Sequence, residues 1–177
     1  IITPVATLCE NSAPFNFSAA NAGGTWSGTG ITDPFLGTFN PTTAGGGTHI
    51  ITYTISSGAC TNIDTFDMIV DANVDATISA AGPFCENQTI QTLIAANAGG
   101  TWSGTGIFNS ITGQFHPSLA GPGDHVIHYD IVNGTCSDSD TETIHIDALP
   151  NTTITATGPY CEDEPAINLV AATGGGT

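Results

Sequence analysis

The string NAGGTWSGTGI occupies residues 21–31, and the same eleven residues recur unchanged at 97–107. Its two tryptophans, Trp26 and Trp102, are separated by 76 positions (102 − 26). A string of Gly, Thr, Ser and Trp suits a loop that grips a ligand. It equally suits the turns and the core anchor of a repeated module, because buried Trp is common in small cores.

The cysteines share the interval of the tryptophans and define an internal repeat. They recur at 76-residue steps in two series, Cys9, Cys85 and Cys161 (85 − 9, 161 − 85), and Cys60 and Cys136 (136 − 60). A fixed period marks copies of one structural unit. The sequence therefore predicts a first repeat at 1–72, a second at 73–148, and a partial third at 149–177 that holds only the first strands.

Short alternating runs of apolar and polar residues indicate β-strands throughout. The clearest run is THIITYTIS at 48–56, in which Ile51, Tyr53 and Ile55 share one face. The second repeat has DHVIHYDIV at 124–132, where changes to His and Asp fall only on the opposite face. That alternation predicts an apolar face towards a core and a polar face towards solvent.

About seven such runs per repeat, separated by Gly, Pro, Asn and Asp, predict an all-β fold of tandem Ig-like sandwiches. Each complete repeat also has the order Cys, Trp, Cys, which suits a tryptophan packed in a sandwich core. The core is predicted to contain the pairs Trp26 and Tyr53, and Trp102 and Tyr129. Phe17, Leu93 and Leu169 occupy one further equivalent position, also predicted to face inward.

Each complete repeat holds two cysteines 51 positions apart (60 − 9, 136 − 85). An even count at fixed spacing predicts one disulfide per domain, Cys9 with Cys60 and Cys85 with Cys136, and leaves the partner of Cys161 outside the chain. Closure of such a loop contributes roughly 4 kcal/mol in the chain-entropy model. Metal ligation is the alternative, but the sequence has no CxxC pair and no His at ligand spacing. Disulfides favour an extracellular location.

The charge balance excludes several kinds of partner. The chain has no Lys or Arg and 16 acidic residues, for a net charge of −16. Without basic side chains it cannot neutralise phosphates, so nucleic acid is excluded as a partner. An anionic membrane surface would repel the chain, and no apolar run of eighteen residues predicts membrane insertion. Since 40% of its residues are apolar, the chain is not a disordered acidic tail.

Histidines and carboxylates give no sign of an enzyme. His116, His128 and His145 of the second repeat have no histidine counterpart in the first, and a repeated catalytic device would not vanish from its copy. No cofactor is predicted, apart from a possible Ca²⁺. Candidate ligands are Asp71, Asp75 and Asp147, because acidic residues between domains can bind Ca²⁺. The alternative is solvated carboxylates beside linkers.

The segment CENSAPF at 9–15, the WSGTG string, GTFNP at 37–41, GTHIITY at 47–53 and GAC at 58–60 together resemble a known family. They are similar to the Ig-like (PKD-like) tandem repeats of large secreted surface and adhesin proteins of Bacteroidota. The resemblance spans both complete repeats and the front of the third. It implies a secreted or cell-surface array of β-sandwiches, with the disulfides paired within each repeat and no catalytic residue.

These observations predict a structural extracellular protein that forms a surface fibre, a stalk or the spacer of an adhesin. Its expected partners are neighbouring repeats of the same protein or further copies in a homopolymer. Two alternatives stay open: a module that binds a glycan or a protein through its loops, and donation of the partial third repeat's strands to a neighbouring subunit.

Overall fold

The computed structural model describes residues 1–154, 158–159, 161–163 and 165–171 and is built mainly from β-strands. Tandem Ig-like sandwiches of about seven strands each are confirmed. The elements of the first repeat are β1 (Leu8–Cys9), β2 (Phe15–Asn16), β3 (Thr25–Ser27), β4 (Ile31–Asp33), β5 (Thr38–Phe39), α1 (Pro41–Ala44), β6 (Gly47–Ser57) and β7 (Cys60–Asp71).

The second repeat reproduces the same order of elements. They are β8 (Phe84–Cys85), β9 (Gln91–Thr92), β10 (Thr101–Ser103), β11 (Ile107–Asn109), β12 (Gln114–Phe115), α2 (Pro117–Ala120), β13 (Gly123–Asn133) and β14 (Cys136–Asp147). The 76-residue interval of the sequence is thus the interval between equivalent strands.

Each sandwich consists of a four-stranded and a three-stranded sheet. The first repeat has the orders β1-β7-β6-β3 and β2-β5-β4, and the second has β10-β13-β14-β8 and β11-β12-β9. The first strand of each repeat runs parallel to the end of the last, so that Cys9 lies opposite Asp71 and Cys85 opposite Asp147. Each of these four sheets draws its strands from one repeat.

The long hairpin of β6 and β7 supplies much of the first core, because alternate side chains point inward. Ile51 and Met68 are fully buried, and Tyr53 and Val70 nearly so. Ile50, on the opposite face of β6, is 62% exposed. The second core repeats this arrangement around Ile127, Tyr129, Ile131, Ile144 and Ile146.

A one-turn helix follows β5 and β12, where the sequence analysis predicted no helix. In α1 the side chain of Asn40 accepts a hydrogen bond from the Thr42 amide at 3.1 Å, and Pro41 takes the first helical position. Asn, Pro and a closing Gly45 are the expected residues for such a turn. His116 replaces the Asn cap in α2 and forms no capping hydrogen bond.

The third repeat is described only in part, since residues 155–157, 160, 164 and 172–177 lie outside the described residues. Its bridge between Ile154 and Ala171 matches those between Ile2 and Ala19 and between Ile78 and Ala95. The inward position predicted for Leu169 is wrong, because this side chain is 66% exposed. Phe17, its counterpart, is covered by Trp26 and Phe39, and the described residues of 149–171 contain no equivalents of these.

The predicted disulfide pairing within each repeat is wrong. The structure joins Cys9 to Cys136 and leaves Cys60, Cys85 and Cys161 as free thiols. The reason is the parallel pairing of β1 with β7. Cys9 lies beside the last residue of β7 and Cys60 is its first, which places them roughly 36 Å apart. A disulfide requires Cα atoms within about 7 Å, and the same geometry separates Cys85 from Cys136.

The joint between repeats as candidate functional site

A disulfide ties the first repeat to the hairpin tip of the second. Cys9 ends β1, and Cys136 opens β14 directly after the turn from β13. Their Cα atoms are 4.9 Å apart although 127 positions separate them in the sequence. Both residues are buried, at 7% and 1% exposure, so the docked repeats enclose the bridge.

Asp71 anchors the same hairpin tip by hydrogen bonds. Its carboxylate accepts one from the Thr135 amide at 2.6 Å and one from the Thr135 hydroxyl at 2.9 Å. Asn133 donates its side-chain amide to the carbonyl oxygen of Ala72 at 2.8 Å. A Cβ on Gly134 would collide with the Asp71 carboxylate. The glycine therefore lets the Asp71 carboxylate stay in contact with Thr135, and it also adopts the φ of +58°.

The chain leaves the first repeat along a fixed path. The Glu10 amide donates to the carbonyl oxygen of Asp71 at 2.9 Å, and the Glu10 carboxylate accepts from the Asn73 amide at 3.1 Å. At the end of the second repeat Glu86 makes the first of these contacts with Asp147, at 3.0 Å. The residues that leave each complete repeat are thus held by the acidic residue that follows its first cysteine.

Asp75 shapes the entry to the second repeat. Its carboxylate accepts hydrogen bonds from the Thr77 hydroxyl at 2.6 Å and the Thr77 amide at 2.9 Å. The Thr77 hydroxyl, followed by the Thr77 amide, lowers the pKa of Asp75 below its usual value. Asp75 also exchanges hydrogen bonds with Asn97, its amide donating to the Asn97 side chain at 2.7 Å and its carbonyl accepting from the Asn97 amide at 3.0 Å.

The three predicted calcium ligands, Asp71, Asp75 and Asp147, each contact a different residue. Asp71 binds Thr135 and Asp75 binds Thr77, while Asp147 lies 3.5 Å from Nε2 of His145. In the part of the chain that the structure describes, no three His, Cys, Asp or Glu side chains are grouped to hold a metal ion. His145 is held chiefly by Asp124, whose hydrogen bond raises the pKa of the imidazole above its usual value.

The repeated tryptophan string lies within each sandwich, not at the joint. Trp26 and Trp102 are each 5% exposed, and each packs against a tyrosine ring at a centroid distance of 4.5 Å. The Tyr53 hydroxyl donates to the Asn21 carbonyl at 2.7 Å and accepts from the Gly24 amide at 2.8 Å. Asn21, the first residue of the string, and Trp26 both contact the buried Tyr53. The identity of the string in the two repeats therefore has a structural cause.

The loops around the tryptophan string expose little of the tryptophans as a binding surface for a ligand. A depression lies beside each tryptophan, but Trp26 and Trp102 are buried and offer little surface to it. The large exposed apolar side chains of this region are instead on the turns from β4 to β5 and β11 to β12, where Phe35 is 79% and Ile111 80% exposed. Stacking of a sugar ring would require an exposed aromatic side chain. Phe35 is such a residue in the first repeat, and Phe108 on β11, which is 61% exposed, is one in the second.

The sequence correctly indicated that Cys9 and Cys136 form disulfides, but the predicted partners were wrong. The contributions of Thr135, Asn133 and Glu10 to the joint were not predicted. One available signal was the Asp-Ala pair at the end of the last strand of each repeat, at 71–72 and 147–148. The 76-residue period is no such signal, because a bridge between neighbouring repeats and a bridge within one recur at the same interval.

A comparison with solved structures finds the crystal structure of human protocadherin-24 EC1-2, with a TM-score of 0.41 and 13% sequence identity. The alignment covers 82% of this chain and 94% of that one. The sequence matches no protein family and no curated protein. Among the described residues, no helix is long and apolar enough to cross a lipid bilayer.

Proposed function

We propose that this chain is a structural extracellular protein, a length of surface fibre, stalk or adhesin spacer made of tandem β-sandwiches. The observation that carries the proposal is the disulfide between Cys9 and Cys136, which joins successive repeats across their joint. This disulfide does not stabilise a single repeat by itself. It fixes two repeats to each other, and a spacer needs such a link in order to keep a constant length.

The bridge also determines which part of the chain bears tension. A force applied at the two ends passes from residues 1–9 through the disulfide to residues 136–177. The residues between Cys9 and Cys136, 127 positions apart, carry no load while the bridge is intact. Their extended length is roughly 440 Å, and this length is unavailable to stretching. A tether exposed to shear gains from such protection.

An extracellular location agrees with the chemistry of the chain. Disulfides persist in oxidising compartments, and a net charge of −16 without a single Lys or Arg denies trypsin-like proteases a cleavage site. The resemblance to surface repeats of Bacteroidota supports the same setting. No catalytic role is proposed, because His116, His128 and His145 of the second repeat have no histidine counterparts in the first.

The alternative is a module that binds a glycan or a protein. It is favoured by one observation, the exposed Phe35 and Leu36 on the turn from β4 to β5, which become Ile111 and Thr112 in the second repeat. Loops that vary over a shared scaffold are where binding specificity resides. Replacement of Phe35 by Ser should abolish retention on a glycan or cell surface under this alternative, and should change nothing under the structural proposal.

Single-molecule stretching from the two termini tests the structural proposal. We expect the oxidised chain to show no release of length from residues between Cys9 and Cys136. The Cys9→Ser variant should instead release both sandwiches in separate steps, adding roughly 440 Å in total. The Cys60→Ser variant is the matched control and should behave as the unmodified chain. Full extension of the oxidised unmodified chain would contradict the proposal.

A further inference from the structure

The far end of the second repeat reproduces the backbone arrangement that holds Cys9 in the joint. Cys85 lies opposite Asp147 on β14, in the register that places Cys9 opposite Asp71 on β7. Glu86 donates its amide to Asp147 just as Glu10 does to Asp71. Cys9 is bonded there to a hairpin tip, whereas Cys85 is a half-buried free thiol.

The hairpin of the first repeat carries the complementary half of the joint. Cys60 pairs with Ser57 across a two-residue turn, as Cys136 pairs with Asn133. Gly58 and Gly134 both have a φ of +58°. Cys60 is a free and exposed thiol. The two-repeat unit therefore presents the two halves of its own internal joint at opposite ends.

Nothing in the described residues covers the end that carries Cys85. Asp147 is 65% exposed at its side chain, and all described residues from 148 to 171 are exposed. Leu149 makes only a long contact, 3.5 Å from its amide to the Glu86 carboxylate. Asp147 can therefore receive the backbone amide of a hairpin tip as Asp71 receives that of Thr135.

We propose that this end binds the β6–β7 hairpin of a second copy of the chain and forms a disulfide between Cys85 and the second copy's Cys60. The Cys9–Cys136 joint is the template, with Ala59 in the place of Thr135 and Ser57 in the place of Asn133. The amide contact to Asp147 is kept, and the hydroxyl contact is lost. The inference rests on the proposed function and extends it, because each chain then links to the next head to tail.

Formation of the bond requires an oxidant, which a small disulfide such as oxidised glutathione supplies. One cysteine thiolate attacks the glutathione disulfide, forming a mixed disulfide and releasing one glutathione thiolate. The second cysteine thiolate attacks the protein-bound sulfur and releases the other glutathione. Two protein thiols are oxidised to one disulfide, oxidised glutathione is reduced to two thiols, and the two cysteine protons end on glutathione.

Two complementary variants test the inference, both with Cys161→Ser, because Cys161 occupies the equivalent first position of the third repeat. One also carries Cys60→Ser and keeps only Cys85 free, and the other carries Cys85→Ser and keeps only Cys60 free. We expect an equimolar mixture in glutathione buffer to give a dimer linked from Cys85 to Cys60. Its yield should exceed that of either variant alone by roughly tenfold, because docking raises the effective concentration of the two thiols.

Gly58→Ala in the partner that retains Cys60 provides the specific control. Its Cβ has no atom within 4 Å in the isolated chain, whereas a Cβ at the equivalent Gly134 meets the Asp71 carboxylate. The variant should fold normally and lose most of the mixed dimer. Equal yields of symmetric and mixed dimers, absence of dimers, or a bridge from Cys85 to Cys161 in the unmodified chain would overturn the inference.

Mapping of the Cys9–Cys136 bond in the same samples separates the two proposals. If that bond is present and no mixed dimer forms, only the head-to-tail inference fails. If that bond is absent, the proposed function fails as well, because its tied joint does not exist.

Discussion

Tyr53 and Tyr129 are single side chains that hold the repeated string in place. Each phenol packs its ring on a tryptophan and bonds through its hydroxyl to the backbone at the start of the string. The tyrosine lies about thirty residues later in the chain, on the long hairpin, so these contacts hold the string against that hairpin. The residues of NAGGTWSGTGI are therefore constrained by packing.

Gly37 is required because the backbone passes directly over the indole of Trp26. Its φ is +68°, and a Cβ there would lie 2.7 Å from Nε1 of Trp26. Gly45 has a similar φ of +79° but no atom within 4 Å of the equivalent Cβ. Gly45 also has a ψ of 171°, and this combination of angles is essentially restricted to glycine, so we expect Gly45→Ala to cost about 2 kcal/mol of stability from backbone conformation alone. Gly37→Ala should cost about 2 kcal/mol more from overpacking. Thermal unfolding measures both, and equal losses would contradict the packing.

Asp75 gives a pH-dependent prediction at the entry to the second repeat. Since the Thr77 hydroxyl and amide lower the pKa of Asp75 in the folded state, its stabilisation is complete above the usual carboxyl pKa of about 3.9. It is lost as the pH falls through the lower folded value. Carbon-13 NMR titration should show the lowered pKa. Thr77→Val should raise it and Thr77→Ser should not; an unchanged pKa in Thr77→Val would contradict this assignment.

At the scale of elements, the strands were predictable and the joint was not. The alternation of Ile51, Tyr53 and Ile55 with polar residues is a local property, and it determines which face of β6 is buried. The partner of Cys9 depends instead on a parallel pairing between β1 and the distant end of β7. Sequence spacing alone cannot distinguish a bridge within a repeat from one between repeats, because both recur at the same period.

The short helix α1 had a recognisable signal, since Asn40, Pro41 and Gly45 are the residues that cap such a turn. It was missed because the surrounding strands favoured an all-β interpretation. Leu169 was misplaced for a different reason. Its pattern matches Phe17, but burial requires covering strands, which the described residues of the third repeat do not provide.

The hairpin tip of β13 and β14 gives a prediction with a matched pair of glycines. Gly134→Ala places a methyl group against the Asp71 carboxylate, whereas Gly58→Ala at the equivalent turn meets no atom. Both variants have the same φ of +58° and the same backbone cost. In a glutathione buffer, Gly134→Ala should lower the equilibrium fraction of the Cys9–Cys136 bond. Gly58→Ala should leave it unchanged, and equal effects would refute the docked hairpin.

At the scale of the whole molecule, the bridge joins two sandwiches that have separate cores. Neither core alone gives the pair a fixed orientation. The disulfide, the Asp71 carboxylate and the Glu10 carboxylate together hold the joint. Successive domains of such a chain are therefore held together by a covalent bond and by hydrogen bonds.

Loss of the bridge should destabilise the folded chain substantially. For a separation of 127 residues, the chain-entropy model gives about 5 kcal/mol. Guanidinium unfolding should show losses approaching that value in both Cys9→Ser and Cys136→Ser. Cys60→Ser removes an exposed free thiol and should change the free energy of unfolding by less than about 0.5 kcal/mol. A similar loss in Cys60→Ser and Cys9→Ser would indicate pairing within the repeat.

The most direct test of the tied joint is disulfide mapping by mass spectrometry of the non-reduced chain. Free thiols are alkylated first, and an Asp- and Glu-specific protease then cuts the chain, which has no Lys or Arg for trypsin. The predicted result is one linked pair of peptides containing Cys9 and Cys136, with Cys60, Cys85 and Cys161 alkylated in the monomer. Linked peptides joining Cys9 to Cys60 and Cys85 to Cys136 would contradict it.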